Sequence, residues 1–217
     1  MSVVANRKVE QGIATRSELV RAAIDLFAER GFADTFTSEV VARAQVTRGA
    51  LYHHFADKDG LFLAAYEATE EEVAQRLIAA AETADGPDER IRAGAAAFLD
   101  ACMDPRIQRI LLMDGPSVLG WDRWRRADDP RCARGLLSIG LSNAVAAGIL
   151  ANQPVEPLAE LLYGALVQAG LAIARAEVPQ VTRRLMGEAV DRLLSTLLAP
   201  RAHNQTRFTA TSPADPE

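Results

Sequence analysis

Within the seven residues from Thr47 to His53 the chain offers a hydroxyl, a guanidinium, a glycine, a phenol and an imidazole. On a helix, Leu51 and Phe55 stand four apart and share an inward face. Arg48, Gly49, Tyr52 and His53 are then left on the outer face, with Thr47 at its lip. That mixture suits a groove walled by phosphates, because a guanidinium reads a guanine edge and the other polar groups hold backbone oxygens. Arg48 is therefore the expected base contact and His53 the second, while Gly49 permits close backbone approach. Thr37, Thr47, Tyr52, His54 and Lys58 are expected at phosphates. For His54 a hydrogen bond within its own module is the alternative.

Two short helices must hold that face. Thr37 can cap the first by accepting a backbone N–H, with Val40, Val41 and Ala44 following on one side. Gln45-Val46 reads as the turn, and Thr47 is placed to cap the second helix. Two short helices joined by such a turn make a helix-turn-helix, whose second helix enters the major groove. Upstream, Thr15-Arg16-Ser17-Glu18 has the capping-box pattern. Leu19, Ala23, Leu26 and Phe27 then outline an amphipathic helix that Gly31 ends. Phe32 and Phe36 are read as plugs of a small three-helix core. Downstream, Asp57 caps a helix running from Lys58 to about Ala84, roughly 40 Å at 1.5 Å per residue. A lysine in the first turn opposes the helix dipole. Its presence is explained if Lys58 and the free N–H groups face a DNA phosphate together.

The run VTRGALYHHFADKDGLF strongly resembles the TetR family of transcriptional regulators, and ELVRAAIDLFAERGF resembles that family's first helix. The resemblance covers about residues 16 to 66. One position departs from it: Gln45 stands where relatives usually carry glycine, which suits a left-handed backbone. The resemblance implies a DNA-binding regulator with an effector pocket in its C-terminal body. The long helix from Lys58 would be the lever between the two parts.

Composition bounds the remaining readings. Hydrophobic residues make up 49% and charged residues 24% of 217, an ordinary globular balance. Alanine and leucine dominate, which favours helix. No repeat and no alternating run long enough for a sheet appears, so the expected fold class is all-α. The net charge of −5 is unevenly spread: residues 1–60 hold eight basic and eight acidic side chains, leaving 16 of 24 and 21 of 29 for the rest. A neutral module with clustered cations can bind phosphate while an acidic body stays off it. No uninterrupted apolar run reaches the roughly 18 residues of a membrane span, and the N-terminus lacks an apolar signal core, so a cytoplasmic protein without a membrane partner is expected. Cys102 and Cys132 are too few for a disulfide framework and read as small buried residues.

Catalytic constellations are missing from the sequence: there is no G-x-S-x-G, H-E-x-x-H, Walker loop or G-x-G-x-x-G. His53 and His54 are helix neighbours about 100° apart, poor geometry for one metal. No catalytic residue, metal or cofactor is expected.

The body reads as a series of helices broken at Asp85-Gly86-Pro87-Asp88, Asp104-Pro105, Asp114-Gly115-Pro116, Pro130, Pro154-Pro157 and Pro179. The last two, PLAELLYGALVQAGLAIARA and RLMGEAVDRLLSTLL, are apolar on more than one face and need covering on both sides. A two-fold four-helix bundle with a second copy satisfies them. The large side chains Phe98, Met113, Trp121, Trp124 and Tyr163, with Gln168 as a polar group, are the expected lining of a pocket for a small lipophilic or aromatic effector. Four regions follow: a flexible arm (1–14) whose Arg7 and Lys8 can reach a minor groove, a helix-turn-helix domain (15–60), an effector-binding and dimerisation domain (61–200), and a disordered tail (201–217). The expected partners are a double-stranded DNA operator, a small-molecule effector and a second copy of the chain. The competing reading is a helical dimeric module that binds ligand or protein without DNA.

Overall fold

The computed structural model describes residues 3–120 and 132–198; among them every regular element is helical and no strand occurs. The first helix, α1, runs Val3–Arg30. The arm expected over residues 1–14 is therefore corrected: from Val3 onward it is helix. Ala5, Glu10, Gln11 and Ala14 are good helix formers, and nothing before Gly31 stops propagation. Thr15 is accordingly no cap, and its hydroxyl donates to the Gln11 carbonyl one turn back at 2.9 Å.

Three short steps follow: α2 (Thr37–Arg43), α3 (Arg48–His54) and the long α4 (Lys58–Glu82). Leu19, Ala23, Leu26 and Phe27 of α1, Val40 of α2, Leu51 of α3 and Leu61 and Phe62 of α4 are all buried in one small core. Phe62 meets the edges of Phe27 and Phe32 at centroid distances of 5.2 and 5.1 Å. Such pairs add about 0.5–1.5 kcal/mol beyond area burial. Phe32 thus plugs the core as expected. Phe36 does not, and stands 66% exposed on the surface.

The body begins with α5 (Pro87–Ala101), whose proline sits at the helix start where no N–H is missed. Asp104 caps the next segment by accepting the Arg106 N–H at 2.9 Å. That segment is a continuous rod: α6 (Pro105–Ile107), a π-helical stretch (Gln108–Asp114) and α7 (Gly115–Leu119). It is followed, beyond residue 131, by α8 (Ala133–Ala146), α9 (Val155–Ala174) and α10 (Pro179–Leu197). α5 is the hub, packing on α4, α8, α9 and α10. Ion pairs of Arg92 with Asp191 (2.6 Å) and Arg183 with Asp100 (2.8 Å) bind α10 to α5.

Among the described residues α9 is the one helix that by length and composition would suffice to cross a bilayer, where the sequence reading found no apolar run of that length. Here its inner residues Ala159, Tyr163, Leu166, Val167 and Ile173 are buried against neighbouring helices. The outer faces of α9 and α10 keep large apolar side chains exposed: Leu161 (73%) and, with Val181 and Leu185, Leu193 (57%).

Candidate functional site

The turn between α2 and α3 keeps its left-handed residue without glycine. Gln45 has φ 54°, and the following Val46 N–H returns to the Val41 carbonyl at 3.2 Å. A side chain there costs about 1–2 kcal/mol. The turn sets α3 with Leu51 fully buried and Thr47, Arg48, Gly49, Tyr52 and His53 exposed.

Thr47 caps α3, its hydroxyl oxygen accepting the Ala50 N–H at 3.2 Å. The hydroxyl proton is left to donate elsewhere. Thr37, expected as the cap of α2, is instead the first helical residue. Phe36 occupies the cap position, with its backbone N–H donating to Glu39 Oε2 at 3.1 Å. The displaced Thr37 turns to Tyr52: hydrogen bonds from Thr37 and then Arg48 lower the pKa of the phenol. The Arg48 guanidinium also lies over the Tyr52 ring, 5.6 Å from its centroid. The Arg48 and Tyr52 side chains of α3 are thus stacked on one another, with Thr37 of α2 beside the phenol. A Cβ on Gly49 would meet nothing nearer than Thr47 Oγ1 at 3.9 Å. The chain's own fold leaves that position open.

Two expected phosphate holders are placed otherwise. Lys58 turns back on α1, donating from Nζ to the carbonyls of Phe32 (2.8 Å), Thr35 (3.1 Å) and Ala33 (3.4 Å). The ammonium also rests 4.2 Å from the Phe32 ring centroid. In the folded chain its ammonium is thus supplied with carbonyl acceptors left open after α1. His54 is half-buried and faces α1, with Cε1 4.0 Å from where a Cβ on Gly12 would stand. Its ring thus lies against α1 at the edge of the module.

A second site lies in the body. A largely apolar cavity of about 180 Å³ opens between α4, α5, α8 and α9. Leu77, Ile91, Phe98, Leu137, Tyr163 and Leu166 form its walls, with Arg90 and Asn143 as polar members. Of the residues expected to line a pocket, Phe98 and Tyr163 stand in this cavity's wall, their rings edge to face at 6.2 Å. Burial pushes the Tyr163 and Tyr66 phenols far up, so both are neutral donors, and Tyr66 donates to Glu70 Oε1 at 3.0 Å. Met113 and Gln168 do not line the cavity; both are exposed, because the π-helical stretch and α9 turn those positions outward. Trp121 and Trp124 lie outside the described residues. Sequence reasoning missed Arg90 and Gly94, and the only available signal was a small residue on each of two facing helices, Gly94 and Gly140. A Cβ on Gly94 would meet nothing within 4 Å. Cys102 and Cys132 are both buried, and burial pushes the Cys102 thiol up to about 12.

Residues 19–65 match the family described as bacterial regulatory proteins, tetR family, and residues 88–197 match the tetracyclin repressor-like C-terminal domain. Among solved structures, a TetR-family transcriptional regulator from Pectobacterium atrosepticum is 35% identical, with a TM-score of 0.72 over 88% of this chain and 98% of that one. The HTH-type transcriptional regulator AcrR of Shigella flexneri is 33% identical over 72 residues, 33% of this chain and 34% of the relative. The probable acrEF/envCD operon repressor of Escherichia coli K12 is 41% identical over 59 residues, 27% of each chain. The chain thus spans about a third or less of the length of these two relatives.

Proposed function

The chain belongs to the TetR family of transcriptional regulators, and from that premise we propose that it is a cytoplasmic, ligand-responsive repressor. It binds a palindromic operator as a homodimer and leaves it when a small lipophilic or aromatic effector enters the body. The observation that carries the reading is the exposed outer face of α3, where Thr47, Arg48, Gly49, Tyr52 and His53 stand opposite the buried Leu51 and the Arg48 guanidinium lies over the Tyr52 ring. Arg48 takes a guanine edge and His53 supports it. Thr37, Thr47 and Tyr52 hold phosphates, and Gly49 lets the backbone close in.

A single recognition helix makes few base contacts, each worth about 1–3 kcal/mol. Pairing roughly doubles them and requires half-sites about 34–36 Å apart or a multiple of that. The exposed Leu161, Leu185 and Leu193 on α9 and α10 support such pairing, since a second copy would cover them. The cavity supports an effector of one ring or a short chain, because an apolar cavity of about 150 Å³ already holds benzene. α4 links the two sites: Lys58 at its start is tied to the turn after α1, and Leu77 near its end forms a cavity wall. An effector that shifts Leu77 would move the recognition helices. A switch from 99:1 to 1:99 requires about 5.5 kcal/mol of differential binding.

The test is a duplex pool of random sequence enriched by the wild-type protein. The enriched duplex should be palindromic, and its affinity should fall steeply with salt. Arg48→Ala with Tyr52→Ala should abolish that binding while sedimentation still gives a dimer. Unchanged binding by the double variant would refute the reading. Failure of the wild type to enrich any duplex would favour the dimeric module without DNA.

A further inference from the structure

We propose that Phe36 is a specificity-determining contact: its ring seats on the apolar surface of operator DNA beside the outer face of α3. The inference rests on the DNA-reading function argued above and adds to it a residue of a different chemistry. Two observations say that the ring is not there for the fold. First, Phe36 is 66% exposed while Phe27 and Phe62 of the same module are fully buried. Second, it occupies the cap of α2, where Ser, Thr, Asp or Asn would accept a helix N–H and phenylalanine cannot. Glu39 closes the cap from the other side only, by accepting the Phe36 N–H. Local folding thus favours a small polar residue on both counts, yet the chain carries a bulky aromatic ring there.

Its location supplies the partner. Phe36 stands at the start of α2, the helix packed directly against α3 and its proposed DNA face. The first helix of a helix-turn-helix crosses the backbone at the groove edge. The apolar groups a duplex presents there are deoxyribose C–H edges and the thymine methyl. A neutral ring on either releases no counterion, so it changes affinity without changing salt dependence.

The experiment compares Phe36→Ser and Phe36→Leu with the wild type on the duplex that the wild type enriches from a random pool. Phe36→Ser should melt at or above the wild-type temperature, because serine is the better cap, and should remain dimeric. It should bind about tenfold more weakly with the salt slope unchanged, the order expected for losing burial of one aromatic ring. Phe36→Leu, which keeps apolar surface, should lose less than about threefold. Deoxyuridine in place of thymidine assigns the contact. Weakening confined to the wild type places the ring on a methyl, and equal weakening of both proteins places it on the sugar. Binding of Phe36→Ser within about twofold of wild type overturns the inference and leaves the regulator reading intact. A lowered melting temperature accompanying the loss also overturns it, since the ring would then serve the fold. If the wild type enriches no duplex, both readings fail together.

Discussion

The Asp114 carboxylate accepts the backbone N–H of Phe32 at 2.8 Å, joining positions 82 residues apart. The same Oδ2 accepts from Arg109 Nε at 3.2 Å. Asp114 ends the π-helical stretch, and Phe32 begins the turn from α1 into the DNA-facing helices. Leu111 and Leu112, from the same stretch, line a small void against Tyr66 and Tyr163. π-Helical turns are rare and concentrate at functional sites. One short segment therefore touches the interior of the body with one face and the DNA-binding module with the other. Gly31 permits the close fit, since a Cβ there would overlap the Arg109 guanidinium.

Removing this clasp should loosen the joint. Asp114→Ala strips a charged acceptor from a half-buried N–H and leaves Arg109 without its carboxylate. A loss of about 1–3 kcal/mol is expected in chemical denaturation. Operator affinity without effector should stay within about tenfold, while the change in affinity on adding effector should shrink. A full effector response in a destabilised variant would mean that coupling runs through α4 alone.

Lys58→Met separates the two roles open to that lysine. Three carbonyls lose their donor, so stability should fall by about 1–3 kcal/mol. The slope of log affinity against log salt should not change, because no phosphate contact is removed. A slope reduced by about one unit would return Lys58 to the backbone of the DNA.

Gln45 is held at φ 54° in the turn of the motif. Gln45→Gly relieves the side-chain strain but frees the unfolded chain, so the net gain should be about 0.5–1 kcal/mol. A thermal melt reads it, and a drop in melting temperature would show that the Gln45 side chain contributes more than the strain removes.

Glu39 has its pKa lowered from 4.5 by the Phe36 N–H first and the Arg30 guanidinium second. In the unfolded chain it titrates near 4.5, so the folded state binds fewer protons as the pH approaches that value. The contribution to stability is complete above the unfolded value and is lost as pH falls through the lower folded one. Glu39→Gln should therefore flatten the stability profile on the acid side, from about pH 4.5 downward, and leave its shape near neutrality unchanged. An acid limb as steep as that of the wild type would place the titration elsewhere.

Punctuation in the sequence located most helix boundaries because caps act over three or four residues. Thr47 and Asp104 accept the N–H groups their spacing predicts, and Asp57 accepts from Gly60 at 2.7 Å. Gly31 ends α1 with φ 82°, and Pro179 opens α10. The same local reasoning erred where two local patterns competed. Thr15 has a capping neighbourhood, but it lies inside a stretch of good helix formers and the helix simply continues through it. Thr37 and Phe36 exchanged roles because Glu39 can close the cap without a side-chain acceptor at the first position.

Everything that depended on a distant segment was decided by packing. Periodicity put Arg48, Tyr52 and His53 on the side opposite Leu51, and the structure keeps them there because Leu51 has a core to enter. Periodicity could not say that Lys58 would find the carbonyls of residues 23 to 26 positions earlier. It also could not say that His54 would meet α1, that Phe36 would stay in solvent, or that Met113 and Gln168 would turn away from the cavity. Those outcomes follow from which helices cross, and a crossing is a contact between residues far apart in the chain. The sequence by itself determined an all-α protein with a helix-turn-helix near its front; the tertiary structure alone decided which of that module's side chains stay exposed and which are used to hold the helices in place.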